Sequence, residues 1–251
     1  MPFSDYKIAL VTGASGGMGR AIAERLRAEG LTVHAVARNA GALKDLADTT
    51  GCIPHELDIS DTKALEALVP GLDVDVLVNN AGVSRKGNIL TSDAFDIDEQ
   101  IDVNLRAAMH LSRLVLPGMI ARDRGHILSI GSIAGHYEFG GHTAYHVTKA
   151  GIHTLSRQLR VDAYGHRVRV TEICPGRVQT DIFSRVEHIS PEAARAQFFD
   201  GYEIPGVADI ADAVAYAIGT PACVNIGMIE IMPTMQVPGG LRTMRTDGTE
   251  G

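Results

Sequence analysis

Cysteine is scarce in this sequence of 251 residues. Cys52, Cys174 and Cys223 are odd in number and widely spaced. That pattern does not indicate a disulfide framework, and it does not match the ligand spacing of a zinc site. Few, unpaired thiols are typical of a reducing compartment, so we predict a cytoplasmic protein.

Long apolar runs and an excess of basic residues are also lacking. No apolar run approaches the ~18 residues of a membrane span, and the first residues show no basic segment followed by an apolar one, as a secretory signal would. The chain carries 23 Lys and Arg against 30 Asp and Glu, a formal charge of −7. Because phosphate backbones bind basic surfaces, we expect no nucleic-acid partner and no membrane partner.

Short β-rich segments alternate with longer helical ones along the chain. Hydrophobic residues make up 45% and charged residues 21%, which excludes a disordered, collagen-like or coiled-coil chain. Strands are predicted at Lys7–Val11, Leu31–Ala37, Cys52–Leu57, Val74–Val78, His126–Ile130, Arg167–Ile173 and Met228–Met232. Helices are predicted at Arg20–Glu29, Ala42–Asp48, Ile97–Leu116, Ala144–Ala163, Pro191–Phe199 and Ala208–Ile218. Alternation of this kind predicts an α/β fold, a Rossmann-type doubly wound parallel sheet of about seven strands with helices on both faces.

The predicted organisation is a single domain over residues 1–251, with no internal linker or repeat. The stretch 180–206 is less regular than the rest. The tail 239–251 is rich in Gly and Thr. We expect this tail either to be disordered or to contact a neighbouring subunit.

A glycine-rich turn follows the first predicted strand, over Thr12–Gly19. Glycine permits a positive φ and a close approach of the backbone to a ligand. The free N–H groups at the start of the next helix then attract a phosphate. A plain strand–helix turn is the alternative, but the position after the first strand of an alternating chain favours nucleotide binding.

Three motifs in this order resemble the short-chain dehydrogenase/reductase family. They are T-G-x-x-x-G-x-G at Thr12–Gly19, N-N-A-G at Asn79–Gly82, and Tyr145-x-x-x-Lys149. The resemblance runs from Lys7 to about Gln236 and implies a nicotinamide-dependent oxidoreductase acting on CH–OH groups. In the C-terminal third, two further segments resemble the NADP-dependent serine/3-hydroxy acid dehydrogenase group, Pro221–Ile226 and Glu230–Gln236.

The cofactor is predicted to be NADP(H) rather than NAD(H). Rossmann-type folds usually carry an acidic residue ~20 residues past the glycine turn, where it binds the ribose 2′-OH. Here Arg38 stands nineteen residues past Gly19, with no carboxylate beside it. A guanidinium pairs with a 2′-phosphate, which a carboxylate would repel. A solvent-exposed loop arginine is the alternative interpretation.

Family resemblance extends the cofactor site to other strand ends. Asp58 would bind the adenine amino group beside Ile59, and it stands where a helix cap is the alternative. The expected cofactor-binding set is Gly13, Ser15, Gly16, Gly17, Met18, Gly19, Arg38, Asp58, Ile59, Asn80, Ala81, Gly82, Tyr145, Lys149, Pro175, Gly176, Val178 and Thr180.

Tyr145 is the predicted catalytic acid/base. The reference pKa of tyrosine is about 10, and a nearby cation lowers it. Lys149 lies one helical turn further on the same predicted helix face and would supply that charge. The resemblance adds Ser132 to hold the substrate oxygen and Asn104 to anchor a water that links Lys149 to solvent. A surface pair for the Tyr–Lys motif, and a polar residue kinking a core helix for Asn104, are the alternatives.

No metal site is expected, although histidines cluster near Tyr145. His142 and His146 have the spacing of a helical ligand pair. Position 143 is Thr, however, whereas a zinc protease carries Glu there. We expect His136 and His142 to line the substrate pocket and His146 to pack beside Tyr145.

The substrate is the least defined feature of the sequence. By resemblance 180–206 is a substrate lid, whose Phe183 would close the pocket. An anionic substrate requires a cation, for which Arg177 and Arg85 are candidates, and a solvent-facing arginine is the alternative. The leading function is hydride transfer to or from a small polar hydroxy or carbonyl compound, such as a 3-hydroxy acid, serine or a small aldehyde.

Two other functions remain open. One is a reductase of larger ketones such as 3-oxoacyl chains. The other is a non-catalytic cofactor-binding protein, against which the intact Ser132, Tyr145 and Lys149 argue. The resemblance also implies a homodimer or homotetramer, since the helices around Asn104 and Lys149 pair in family dimers.

Overall fold

The computed structural model describes residues 2–250, so Met1 and Gly251 of the predicted domain lie outside the described residues. Within residues 2–250, seven strands pair side by side in parallel. The strands are β1 Ile8–Thr12, β2 Thr32–Ala37, β3 Ile53–Glu56, β4 Val76–Asn79, β5 Gly125–Ile130, β6 Val168–Pro175 and β7 Met228–Ile231. Their order across the sheet is β3-β2-β1-β4-β5-β6-β7. This arrangement confirms the predicted sheet.

The α-helices within residues 2–250 connect these strands. They are α1 Gly17–Ala28, α2 Ala40–Thr50, α3 Thr62–Leu68, α4 Ala94–Ile101, α5 Ala107–Ala121, α6 Thr143–Asp162, α7 Ile182–Glu187, α8 Pro191–Phe198 and α9 Val207–Gly219. Within residues 2–250, none is both long and apolar enough to cross a membrane.

Alternate strand residues bury their side chains on opposite faces of the sheet. In β1, Ala9 and Val11 belong to one apolar cluster, together with side chains of α1, α2 and α9. Leu10 belongs to a second cluster, together with side chains of α3, α5 and α6. Because side chains alternate along a strand, the two clusters lie on the two faces. Helices therefore cover both faces, as predicted.

The long helix predicted at Ile97–Leu116 differs from the observed one. Helical structure begins earlier, at the start of α4, passes through a π-helical turn at Asp102–Arg106 and continues through α5. The predicted end near Pro117 is wrong, because the helix continues to Ala121 with the proline inside it. Proline removes one helical hydrogen bond, but Met119 beyond it is fully buried. Burial of that side chain holds the last turn in place.

The segments predicted as lid and tail pack on each other. Two helices, α7 and α8, form within 180–206, where only the second was expected. The tail turns back on itself, with the Met244 N–H donating to the Met235 carbonyl over 3.0 Å. It then reaches the lid, where the Thr246 N–H donates to the Gly201 carbonyl over 2.9 Å. The tail thus contacts the lid of its own chain, and its disorder or contact with another subunit stays a prediction.

A buried arginine joins β6 to the end of α9. Arg169 is only 3% exposed. Its guanidinium donates to the Tyr6 hydroxyl over 3.0 Å, to the Ile218 carbonyl over 2.8 Å and to the Thr220 hydroxyl over 2.8 Å. The last carbonyls of a helix lack helical partners and carry partial negative charge. The guanidinium of Arg169 donates hydrogen bonds to these carbonyls from inside the protein.

Replacing this guanidinium should be costly. We expect Arg169→Ala to lower the free energy of unfolding by about 2–4 kcal/mol, because it leaves buried carbonyls unpaired and opens a cavity. Arg167→Ala, whose side chain is 78% exposed, should change it by less than about 0.5 kcal/mol. Urea unfolding followed by far-UV circular dichroism measures both. Equal losses in the two variants would contradict this role.

Candidate active site

A cleft of about 570 Å³ lies where the carboxyl ends of the central strands meet. Residues that directly follow strands line it, including Gly13 after β1, Asn80 after β4, Ser132 after β5 and Gly176 after β6. The chain continues from β1 toward one edge of the sheet and from β4 toward the other. Open α/β sheets bind ligands at such a switch point.

The glycine turn leaves room for a ligand at the start of α1. Gly13 and Gly17 have φ of +67° and +53°, which other residues rarely adopt. A Cβ on Gly19 would lie 2.3 Å from the Gly13 carbonyl oxygen, whereas nothing lies within 4 Å of one on Gly16 or Gly17. No side chain within residues 2–250 caps α1. Its first N–H groups are therefore free to bind a phosphate, so the turn fits a nucleotide cofactor.

Arg38 and Asp58 follow β2 and β3 at the same edge. Their charged groups are 3.8 Å apart, and the Arg38 side chain is 64% exposed. Asp58 accepts hydrogen bonds from the Ser60 N–H and hydroxyl, over 2.9 and 2.8 Å. Partial burial opposes ionisation of Asp58, but these bonds and the Arg38 charge hold its pKa below the usual value. The carboxylate is thus ionised, and the Arg38 guanidinium forms a long ion pair with it while staying mostly exposed to solvent.

Ser132 and Tyr145 face each other across the cleft wall. Ser132 follows β5 and accepts the Ala134 N–H over 3.1 Å. Tyr145 lies in the first turn of α6, and both side chains line the cleft. Desolvation raises the pKa of Tyr145, and the nearby Ser132 hydroxyl offsets part of that rise. Lowering of this pKa by Lys149 therefore stays a prediction, since desolvation outweighs the effect of Ser132 here.

Lys149 lies behind this pair and is only 5% exposed. Its Nζ donates to the Ile130 carbonyl over 2.8 Å and lies 5.6 Å from the centre of the Tyr145 ring. Burial lowers the pKa of Lys149 to about 8, against the opposing effect of the negative charge of Glu172. A buried ammonium with a lowered pKa beside a tyrosine hydroxyl is an arrangement suited to proton transfer.

Asn104 lies in the π-helical turn, buried beneath the loop after β4. Its side-chain amide forms two hydrogen bonds with the backbone of Val83, accepting from the N–H over 2.7 Å and donating to the carbonyl over 2.8 Å. A further bond reaches the Thr148 hydroxyl over 3.1 Å. Single π-helical turns often occur at functional sites. Here the turn directs the amide toward the residue that precedes Lys149.

Nearly all the predicted site residues meet in one cleft. Every residue of the expected cofactor set except Lys149 lines it, as do Ser132, His142, Arg177 and Phe183. Lys149 and Asn104 lie behind the wall. His136 is not among the lining residues, which corrects the expectation that it faces the pocket. Its ring turns toward β6, where Nε2 lies 3.3 Å from the Cys174 sulfur.

The two candidate cations for an anionic substrate differ in their partners. Arg85 is paired with Glu99 over 2.6 Å and with Asp96 over 3.4 Å. Arg177 lies instead over the Tyr202 ring, 5.3 Å from its centre, and donates to the Leu241 carbonyl over 3.1 Å. No carboxylate in the described part of the chain pairs with Arg177, so its charge is more available than that of Arg85.

Some cleft residues escaped the sequence analysis. Arg185 and Phe139 line the cleft from the lid and from the loop before α6, and Leu241 lines it from the tail. No local pattern marks them, because loop and tail contacts arise only in the folded chain. Thr12 had a signal, since it precedes the glycines of the first motif. Its hydroxyl accepts the N–H groups of Asn80 and Ala81, each over 3.1 Å.

Comparison with known proteins agrees with this geometry. The family model described as short chain dehydrogenase matches residues 7–189. An uncharacterised short-chain type dehydrogenase/reductase of Sinorhizobium fredii is 39% identical, over 95% of this chain and 96% of its own. NADP-dependent 3-hydroxy acid dehydrogenase of Escherichia coli K12 is 35% identical, over 95% of this chain and 99% of its own.

A solved structure is similar over the same length. The closed form of serine dehydrogenase complexed with NADP⁺ has 34% sequence identity and a TM-score of 0.88, covering 95% of this chain and all of that chain. Similarity to these proteins extends well beyond the C-terminal third. Fold, cleft and sequence matches together lead to one conclusion: this chain belongs to the short-chain dehydrogenase/reductase family.

Proposed function

We propose that this chain is an NADP-dependent oxidoreductase that transfers a hydride between nicotinamide and a small polar hydroxy or carbonyl compound, at a CH–OH carbon. The observation that carries the proposal is that Ser132 and Tyr145 line one cleft with the glycine turn, with the buried Lys149 Nζ 5.6 Å from the centre of the Tyr145 ring. Similarity to an NADP-dependent 3-hydroxy acid dehydrogenase and to serine dehydrogenase supports the substrate class.

Each member of this group has a proposed role. The bound nicotinamide supplies or accepts the hydride. Tyr145 donates a proton to the substrate oxygen, or removes one from it, and Ser132 holds that oxygen in place. Lys149 supports Tyr145 with its charge and binds the nicotinamide ribose. Asn104 anchors the route by which the proton reaches solvent.

The cofactor site is the part of the cleft from the glycine turn to Arg38 and Asp58. We propose that the uncapped start of α1 binds the pyrophosphate and that the Arg38 guanidinium binds the 2′-phosphate. The residues after β4 and β6, among them Asn80 and Val178, would hold the riboses and the nicotinamide. Exposure of the Arg38 side chain and the long 3.8 Å separation of its ion pair with Asp58 support this role, because a solvent-facing, loosely paired cation can bind a phosphate.

Arg38 should determine the cofactor preference. We expect Arg38→Ala to raise the KM for NADP⁺ by about 10- to 100-fold, the usual effect of removing a charged hydrogen bond. The KM for NAD⁺ should stay within about twofold, since NAD⁺ lacks the 2′-phosphate. Arg167→Ala, at the amino end of β6, is the matched control. A parallel rise for both cofactors would contradict the assignment.

The substrate is proposed to lie beneath the lid, near His142, Arg177 and Phe183. Phe183 stacks on Phe198 with ring centres 4.8 Å apart, and both line the cleft. An apolar lid above a cation suits a small anionic substrate whose carboxylate pairs with Arg177. His136 is left out of this set, because it does not line the cleft.

Arg177 should distinguish acids from neutral alcohols. We expect Arg177→Ala to raise the KM for 3-hydroxy acids by at least about tenfold, with little change for neutral alcohols of the same size. Arg185→Ala removes another cleft-lining arginine and serves as the matched comparison. Acid-selective loss in the Arg185 variant alone would transfer the role to Arg185, and equal effects on both substrate classes would exclude a carboxylate ligand.

A substrate panel tests the function itself. Reduced-cofactor absorbance is followed with NADP⁺ or NAD⁺ and D- and L-serine, allo-threonine, 3-hydroxypropionate, 3-hydroxyisobutyrate and several bulky secondary alcohols. We expect turnover of the small acids with NADP⁺, and a loss of at least about 100-fold in kcat for Tyr145→Phe. Activity on bulky alcohols alone would replace the substrate class. No activity with any alcohol would favour the non-catalytic alternative.

We also propose a cytoplasmic homodimer or homotetramer. Apolar side chains remain exposed on α5 and α6, with Met109 at 51%, Val147 at 61% and Val161 at 63% exposure. Exposed apolar patches often mark subunit contacts, and closed symmetric oligomers are common. A single-chain mass by sedimentation velocity would exclude this assembly.

A further inference from the structure

A second group of reactive side chains lies behind the wall of the cleft. Glu172 and Cys174 are two residues apart in β6 and therefore project from the same face of the sheet. His136 follows the short turn after Ser132, and His153 lies on α6. Neither the proposed hydride transfer nor the proposed cofactor site uses these four side chains.

The separations within this group match those of a tetrahedral metal site. Nε2 of His136 lies 3.3 Å from Sγ of Cys174 and 3.6 Å from Oε1 of Glu172. Zinc bonds are ~2.0–2.1 Å long to N and O and ~2.3 Å long to S. At tetrahedral angles they place a nitrogen and a sulfur ligand about 3.6 Å apart, and a nitrogen and an oxygen ligand about 3.4 Å apart. All three donor atoms lie within 4.8 Å of one another, close enough for one ion to bind them together.

One ligand atom already lacks a partner. Glu172 is 1% exposed, and its Oε1 accepts no hydrogen bond from any residue in the described part of the chain. A buried carboxylate oxygen without a partner is costly. The other oxygen, Oε2, is fixed by His153 Nδ1 over 2.7 Å. Outer partners of this kind orient metal-ligating carboxylates.

Access from solvent is available on the histidine side. The side chain of His136 is 16% exposed and that of His153 is 28% exposed, whereas Cys174 is fully buried. At Gly131, a Cβ would lie 2.2 Å from Oε1 of Glu172, so the glycine preserves the position of that oxygen. An ion can thus enter past the histidines and reach a preformed carboxylate.

We propose that His136, Glu172 and Cys174 bind a Zn²⁺ ion, with a water molecule as the fourth ligand and His153 as the positioning residue for Glu172. Nitrogen, oxygen and sulfur together are the donor set that Zn²⁺ accepts. The Cys174 thiol releases its proton to solvent when the sulfur–zinc bond forms, and no oxidation is involved. The bound ion joins β6 to the turn after Ser132.

Binding is tested on the whole protein, first freed of metal by a chelator. Equilibrium dialysis with ZnCl₂ should give one Zn²⁺ per chain, and calorimetry in two buffers of different ionisation enthalpy should give about one proton released per ion. Titration with Co²⁺ should produce the near-ultraviolet absorption of a thiolate–cobalt bond. A native protein that binds no Zn²⁺, or that shows no such absorption with Co²⁺, overturns the proposal.

Matched variants locate the site. Removal of an outer partner alone costs ~10–100-fold in metal affinity, so His153→Gln should raise the Kd for Zn²⁺ by that factor and Cys174→Ser by more. Cys223→Ser removes an exposed cysteine elsewhere and should leave the Kd unchanged. Unchanged affinity in both Cys174→Ser and His136→Gln would mean that Zn²⁺ binds elsewhere. The Co²⁺ spectrum of the native protein decides the matter if either variant does not fold.

Discussion

The hydroxyl of Thr12 holds together the two strands between which the cleft opens. It donates to the Val78 carbonyl over 3.3 Å and accepts the N–H groups of Asn80 and Ala81, each over 3.1 Å. The Asn80 amide then donates to the Thr12 carbonyl over 2.8 Å and occupies the space that a side chain on Gly19 would need. Thus one small hydroxyl sets the distance between the glycine turn and the loop after β4. The shape of the phosphate site depends on that distance, because backbone N–H groups bind only what can reach them.

Behind the other half of the cleft, buried charged side chains, rather than backbone geometry, support the structure. Lys149 is held by the Ile130 carbonyl, and the negative charge of Glu172 opposes the effect of burial on its pKa. Glu172 in turn depends on Gly131 for space and on His153 for orientation. Since an isolated buried ion is costly, the position of Lys149 follows from β5 and β6 as much as from its own helix. The wall that carries Ser132 and Tyr145 is therefore supported by charges that the cleft itself never contacts.

Local sequence patterns were sufficient to predict the parts of the structure that local interactions determine. Short β-rich segments predicted all seven strands, and the motif positions after strands led to the cleft-lining residues, because parallel strands bring their carboxyl ends to one edge. Failures occurred where distant contacts decide the outcome. Burial of Met119 carries the helix past Pro117, against the local preference of proline. His136 stands one residue past the turn that follows Ser132, yet Cys174 and Glu172, distant in sequence, draw its ring away from the cleft. Neither outcome is visible in spacing alone.

The acid/base pair illustrates the same limit for chemistry. Spacing of four residues correctly put Tyr145 and Lys149 on one helix face, with Nζ 5.6 Å from the ring centre. It did not reveal that desolvation raises the pKa of Tyr145. A raised pKa keeps the phenol protonated, which suits donation of a proton to a carbonyl oxygen during reduction. Oxidation of an alcohol requires the phenolate, so that direction depends on positive charge added beside the hydroxyl. The oxidised nicotinamide carries such a charge and the reduced form does not. In the proposed site, the oxidised cofactor would therefore favour the phenolate more than the reduced cofactor does, in addition to the charge of Lys149.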